Sequence, residues 1–319
     1  MDEIDPQLLR VLRAVGDAGS ISRAASRLGY SQPAVSQLLN RAEARLGHAL
    51  VLRAARGATL TEAGRVLADH SLRVQAALAA AQEDLDAVGG LQRGRVRIAG
   101  FPSASSTLVP AVLAAMAATN PGVTTSYVEV EPPEALDLLR RGEVDVALTF
   151  TYDGDDVAAA PDPGLVTRTL GRDPLVLVRP ADTTRTGGAD PVSTTGSART
   201  GAGTAVDLGT FRDARWIGGC PRCRGHLLAS CAASGFTPDI VLETDNAAAV
   251  VGLVAAGLGV ALLPRLALVT TVVPPQVTVD PVDDDLARRV EVVVARGADR
   301  VPSIRAALDT VRAAVGHLR

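Results

Sequence analysis

Lysine is absent from this chain of 319 residues, so every permanently cationic side chain is an arginine. With alanine, glycine and valine abundant as well, the absence reads as the coding bias of a GC-rich genome, and arginine in place of lysine carries little chemical weight. Cysteine is scarce, three in all, which excludes a disulfide framework and predicts a reduced, cytoplasmic chain. The opening MDEIDPQLL is acidic and has no apolar run, so no secretory or transit signal is expected. The stretch from Ala247 to Leu263 is wholly apolar or glycine, but Gly252, Gly257 and Gly259 interrupt it and it falls at the short limit for crossing a bilayer. It predicts a buried helix, a glycine turn and a buried strand, and no membrane partner. No GxGxxG fingerprint and no nucleophile–base set occurs, so neither an enzyme nor a cofactor or metal is expected.

What is present is a globular composition, 47% apolar and 21% charged, in a length suited to two or three domains. The net charge of -3 gives no global nucleic-acid signature, so charge must be read locally. Residues 6–60 carry Arg10, Arg13, Arg23, Arg27, Arg41, Arg45, Arg53 and Arg56 against Asp17 and Glu43. A basic segment at the head of an acidic chain suggests a module for a polyanion.

The segment also has a helical plan. Asp5-Pro6, Ser20 and Ser31-Gln32-Pro33 are cap-then-helix openings, and Gly19, Gly29 and Gly47 are stops. In the third helix Val35, Leu38, Leu39, Ala42 and Leu46 recur at core spacing, leaving Gln32, Pro33, Ser36, Gln37 and Asn40 on the outer face. Amides and hydroxyls without charge suit base edges, which offer donors and acceptors in the major groove. Helix, short helix, tight turn, helix, then an arginine-bearing hairpin over LVLRAARGATL, makes a winged helix-turn-helix with Arg53 and Arg56 on the wing.

"SISRAASRLGYSQPAVSQLLNRAEARLG" followed by "LVLRAARGATLTEAG" resembles the DNA-binding domain of LysR-type transcriptional regulators. Ala24, Ala25, Leu28, Ser31, Gln32, Ala34, Ser36, Glu43, Leu46, Gly47, Arg53, Leu60, Thr61 and Gly64 stand where that family has them. Ala42 and Val51 are smaller than the family's usual leucine and phenylalanine, and Gln37 replaces a frequent arginine. From Thr61 to about residue 88, Leu67, Val74 and Ala81 with Leu78 and Leu85 form a heptad-like stripe for pairing with a second copy. Beyond a glycine-marked hinge at 89–94, strands and helices alternate, predicting a mostly parallel sheet. "RRGEVDVALTF" resembles the family's effector domain, a two-lobed, periplasmic-binding-protein-like fold. That resemblance implies promoter DNA and a small-molecule effector as partners, and a homodimer or homotetramer.

The expectation is therefore an α/β protein with a winged helix-turn-helix at 1–60, a linker helix at 61–90 and an effector-binding domain at 94–319. Its first lobe would cover about 94–170 and 266–319, the second about 172–264. Phe101, Ser103 and Ser105 lie between a strand end and a helix start, where free amides gather. Thr149 and Phe150 end another strand facing the same cleft, and Gly219 and Cys220 stand on the opposite wall. With Arg222 and Arg224 nearby, an anionic effector is expected. "WIGGCPRCRGHLLASC" places Cys220 and Cys223 between strand and helix, the setting of a thiol redox motif, and a redox protein or redox-sensing regulator is the alternative reading. Zinc is disfavoured because His226 and Cys231, five apart on a helix, point to different sides. Residues 182–205, rich in Gly, Ser, Thr and Ala, are expected to be mobile.

Overall fold

The computed structural model describes residues 4–54, 57–88, 93–152, 162–181, 205–283 and 286–318. Arg56, most of the expected hinge at 89–94 and the expected mobile stretch at 182–204 lie outside the described residues.

Three helices form where their caps are. In α1 (Pro6–Ala18) the Asp5 carboxylate accepts from the Gln7 amide, and in α2 (Ile21–Leu28) Ser20 accepts from Arg23. Ser31 does the same for the Ala34 amide at the start of α3 (Gln32–Leu46), while Gly19, Gly29 and Gly47 end the three helices with φ of 61°, 72° and 69°. Left-handed endings of this kind cost little only without a Cβ. The hairpin of β1 (Val51–Ala54) and β2 (Gly57–Leu60) follows as the wing. Glu43 holds it to α3, accepting from the amides of Leu50 at 2.7 Å and Val51 at 3.0 Å.

Thr61 joins wing to linker: its hydroxyl donates to the Ala49 carbonyl at 2.7 Å and accepts from the Gly64 amide at 3.0 Å. The helix it opens, α4 (Glu62–Val88), has 27 residues and is about 40 Å long. Ala68, Ser71, Leu72, Ala76 and Ala80 are buried along one face. Glu83 locks that face, accepting from the Ser303 amide at 2.9 Å and hydroxyl at 2.6 Å. The expected heptad stripe divides: Leu67 packs into the helical head, whereas Leu78 and Leu85 stay 54% and 64% exposed.

The rest of the chain runs β3 (Gly94–Gly100), α5 (Pro102–Ser105), α6 (Leu108–Thr119), β4 (Val123–Glu129), α7 (Pro132–Arg140), β5 (Val146–Tyr152) and β6 (Leu165–Pro180). It continues through β7 (Arg215–Gly218), α8 (Pro221–Ala233), β8 (Asp239–Glu243), α9 (Ala247–Ala255), β9 (Ala261–Pro264), β10 (Val277–Pro281), β11 (Ala287–Ala295) and α10 (Pro302–Ala313). One sheet has the order β10-β6-β11-β5-β3-β4, with β9 also on β6, and β7 pairs with β8 apart from it. Pairing is parallel for β3 with β4 and β5 and for β7 with β8, but β11 is antiparallel to both neighbours, so the sheet is mixed rather than mostly parallel.

The two lobes share β6. Its first half pairs with β11 and its second half with β9 and β10. The return to the first lobe comes later than the sequence suggested near Pro264, because Val277–Pro281 still pairs with Val176–Pro180. The apolar run at 247–263 resolves as expected into α9, a turn at Gly257 with φ 72°, and β9. Among the described residues no helix is long and apolar enough to cross a membrane.

A Cβ on Gly64 would lie 2.1 Å from the Leu50 carbonyl oxygen. Gly64→Ala should therefore lower unfolding stability by about 1–3 kcal/mol, and a denaturant midpoint equal to the parent's would contradict this packing of linker against wing.

Candidate functional site

The face of α3 turned away from Val35, Leu39 and Ala42 is open. Gln32, Pro33, Gln37 and Asn40 are exposed and Ser36 is half-buried, while Leu38 and Leu46 pack partly against the helical core. Ser31 is exposed but spends its side chain on the cap. The Gln32 amide donates to the Ser36 hydroxyl at 2.9 Å, and Arg53 of the wing donates to the Asn40 side-chain oxygen at 2.5 Å. Arg23, Arg27, Arg41 and Arg45 are exposed. Arg13 is not part of this surface: it donates to the Arg140 carbonyl at 3.0 Å and lies 3.9 Å from both Asp17 and Asp162. Neutral donors and acceptors flanked by guanidiniums suit base edges between phosphates.

A cavity of about 420 Å³ lies between the lobes. Phe101, Ser103, Phe150 and Arg288 line it from one side, and Gly219, Cys220, Cys223 and Asp245 from the other. Five of the sequence-derived positions thus come together: Phe101, Ser103, Phe150, Gly219 and Cys220. Ser105 and Thr149 do not join them. The Ser105 hydroxyl is bonded within the first lobe, to the Tyr127 hydroxyl at 2.6 Å and the Phe101 carbonyl at 3.3 Å. Thr149 is buried on the opposite face of β5, because successive strand residues alternate and Phe150 takes the cavity side.

Arg288 forms the floor. It is 2% exposed, donates through Nε to Asp173 at 2.9 Å and through Nη2 at 2.8 Å, and reaches the Ser103 hydroxyl. Its guanidinium lies 4.9 Å from the ring centre of Phe101 and 4.5 Å from that of Phe150. The remaining ionisable lining is acidic: Glu129, Glu131 and Asp245. Burial pushes the Glu131 carboxyl above its usual range, and repulsion from Asp245 adds to the shift while Arg288 opposes it. The basic wall expected for an anionic effector is missing. Arg224 pairs with Glu243 at 2.8 Å, and Arg222 lies over the Phe150 ring at 5.4 Å, both outside the cavity lining.

At the first turn of α8, Cys220 caps the helix with its sulfur accepting from the Cys223 amide, and its thiol donates to the Cys223 sulfur at 2.9 Å. Tyr152 of β5 donates its hydroxyl to the same sulfur at 3.5 Å, and its ring stacks on His226 at 4.0 Å with an interplanar angle of 6°. The hydrogen bond from Cys220 draws the Cys223 thiol down to about 7, helped by Tyr152 and Arg288 against desolvation. That same bond, with burial, pushes Cys220 up.

The model of the LysR substrate binding domain matches residues 89–316, and that of the bacterial regulatory helix-turn-helix protein of the lysR family matches residues 6–65. The chain belongs to the LysR family of transcriptional regulators. The probable HTH-type transcriptional regulator LrrA of Synechococcus elongatus is 28% identical over 311 residues, covering 98% of this chain and 97% of the relative. The HTH-type regulator ShiR of Corynebacterium glutamicum is 30% identical over 252 residues, covering 78% and 79%. Full-length OxyR of Pseudomonas aeruginosa shares the fold at a TM-score of 0.64 and 20% identity, covering 98% of this chain and 96% of that one. As a LysR-type regulator the protein binds promoter DNA, carries an effector-binding domain and forms oligomers.

Sequence reasoning missed Arg288, Asp173, Tyr152 and Glu131 in this LysR-type cavity. A signal existed for two of them. Arg288 has the same strand parity as the buried Val290, Val292 and Val294, and Tyr152 that of Leu148 and Phe150. Asp173 also accepts from the Leu266 amide at 2.9 Å. Asp173→Ala should lower stability by about 3–5 kcal/mol by stranding a buried charge, whereas Asp173→Leu with Arg288→Met should lose far less. Equal losses in the single and double variants, measured by denaturant unfolding, would show that the ion pair is not what the site depends on.

Proposed function

We propose that the outer face of α3 reads a promoter sequence while a small molecule in the cavity between the lobes sets how paired DNA-binding heads engage it. The observation that carries this is the α3 surface, where Gln32, Ser36, Gln37 and Asn40 offer neutral donors and acceptors beside Arg53. Ser31 and Pro33 fix where that face begins. In this reading residues 1–60 form the reading head, 61–90 the linker that pairs subunits through Val74, Leu78, Ala81 and Leu85, and 94–319 the effector domain. Such a regulator works in the cytoplasm, where the promoters are. A cavity walled by residues from both lobes can couple ligand to shape only if the ligand prefers one lobe arrangement. Three carboxylates and a guanidinium already matched by Asp173 favour an effector that brings hydrogen-bond donors over an anion.

A second reading, a thiol oxidoreductase, has one observation in its favour, the closeness of Cys220 and Cys223. The relatives are transcriptional regulators, which places the dithiol inside a regulator rather than a separate enzyme.

A footprint upstream of the protein's own gene, in reducing buffer at stated salt, should show an interrupted inverted repeat. Gln32→Ala should weaken binding about tenfold and relax the preference at one base position, and Arg53→Ala should weaken binding at all sequences and lower the salt slope by about one. Protection that survives both changes would remove α3 and the wing from sequence reading. Leu78→Ser with Leu85→Ser should shift the protein toward monomer in sedimentation at micromolar concentration; unchanged sedimentation would take the exposed stripe out of subunit pairing.

A further inference from the structure

The CPRC segment carries chemistry that effector binding does not use. Both of its sulfurs line the cavity, whereas Cys231, on the same helix, is fully buried and its thiol is pushed up to about 11 by that burial. Among the described residues no group of three or more His, Cys, Asp and Glu side chains could hold a metal ion, so a metal clip does not account for the pair.

We propose that Cys220 and Cys223 are a peroxide-oxidised dithiol, closing reversibly to a disulfide on the cavity wall, and that the lobes register its state through Tyr152. The geometry needs little movement. The sulfurs are 2.9 Å apart, and rotating the side chains to bring them to the bonded distance of about 2 Å leaves the first turn of α8 in place. The two thiols are also unequal in the way such chemistry requires. Cys223 sits in the first turn of a 13-residue helix, where the dipole favours an anion, and its sulfur receives hydrogen bonds from Cys220 and Tyr152. Cys220 keeps its proton. Cys223 is therefore the attacking sulfur and Cys220 the resolving one.

The oxidant is a hydroperoxide, ROOH, small enough to enter the cavity. The Cys223 thiolate attacks the outer peroxide oxygen, the O–O bond breaks, and the alkoxide takes a proton from water and leaves as ROH. The sulfenic acid left on Cys223 is attacked by the Cys220 sulfur, which gives up its proton as water departs and the S–S bond forms. In sum, two thiols and one ROOH give one disulfide, ROH and water. An added dithiol reverses the change by exchange.

The consequence lies across the cleft. Tyr152 belongs to β5 and Cys223 to α8, so the hydroxyl-to-sulfur bond ties one lobe to the other, and the stacked His226 ring holds the tyrosine in place. A disulfide sulfur accepts hydrogen bonds weakly and carries no charge toward Arg288. Oxidation thus loosens one wall of the cavity from the other. The DNA consequence of this change rests on the regulator reading above, but the thiol chemistry does not.

The test uses the full-length reduced protein and cumene hydroperoxide. Oxidation should remove two hydrogens per chain in intact mass. Trypsin, which cuts after Arg222, should then release Trp216–Arg222 joined to Cys223–Arg224 by a disulfide, with Cys231 still open to alkylation after unfolding. Cys220→Ser should stop at a sulfenic acid on Cys223 trapped by dimedone, Cys223→Ser should not react, and Cys231→Ser should behave as the parent. The rate should rise through pH about 7 rather than through the ordinary thiol range near 9. Oxidised protein should give a footprint different from the reduced one, reversed by dithiothreitol, and Tyr152→Phe should form the disulfide yet lose most of that difference. Cys220 and Cys223 both still alkylatable after peroxide, or a disulfide that reaches Cys231 or a second chain, overturns the dithiol. A disulfide with no change of footprint overturns the switch. Absence of any footprint from the reduced protein overturns the regulator reading instead, and the mass result still decides the chemistry.

Discussion

A guanidinium with 2% of its surface exposed needs a partner, and the cavity is arranged around the one it has. Arginine does not lose its proton in a protein, so burying Arg288 costs several kcal/mol unless charge and hydrogen bonds are supplied on the spot. Asp173 supplies both, and its other oxygen takes the Leu266 amide. Three segments far apart in sequence, β6, β11 and the turn after β9, are pinned at one point. Asp173 lies where β6 passes from its pairing with β11 to its pairing with β9. The ion pair therefore stands at the crossing between the lobes, and Ser103, Phe101 and Phe150 are positioned by contact with it.

That arrangement determines the electrostatics of the cavity. A guanidinium matched by Asp173 presents little net charge to a ligand, so the field inside is set by Glu129, Glu131, Asp245 and the state of Cys223. Burial and Asp245 hold the Glu131 carboxyl above its usual range, and one of its oxygens, Oε2, is buried without a hydrogen-bond partner. Arg288 still reaches Cys223 electrostatically and favours its thiolate. One buried cation thus serves two ends, fixing the lobe crossing and biasing the sulfur at the opposite wall.

The head of the molecule was legible because its signals are local. Asp5, Ser20 and Ser31 cap the helices they precede, and glycines end all three, so boundaries and the exposed face of α3 could be placed from spacing. The glycine-broken run at 247–263 was legible for the same reason. What failed depends on pairing between distant segments. Nothing within residues 264–281 tells that β10 returns to the second half of β6, and nothing near Thr149 tells which face of β5 meets the cavity. Ser105 looked available until Tyr127, 22 residues away, took its hydroxyl. Arg222 and Arg224 looked like an anion site because sequence gives their charge but not the Phe150 ring and Glu243 carboxylate that engage them. Arg288 was the most readable of the missed residues, an arginine at the core parity of a valine strand.

The linker helix constrains how a signal in the cavity can travel. Ala76 and Ala80 of α4 pack into the core of the effector domain, and Leu72 packs with Ala135, Leu139 and Val293. Glu83 is bonded twice to Ser303 at the start of α10, and Arg13 of the head reaches the Arg140 carbonyl. Head, linker and first lobe are therefore held together by buried contacts that a small ligand, with a coupling energy of about 1–3 kcal/mol, is poorly placed to break. The second lobe is the part with freedom, since what links it across the cavity is a short set of contacts: Tyr152 on Cys223, the ring of Tyr152 on His226, and Arg222 over Phe150. A ligand or an oxidant at the cavity acts on those contacts and changes the surface that the second lobe presents to neighbouring subunits. The DNA-binding heads then respond through the oligomer, by a change in how subunits are spaced, rather than along the linker of the subunit that binds.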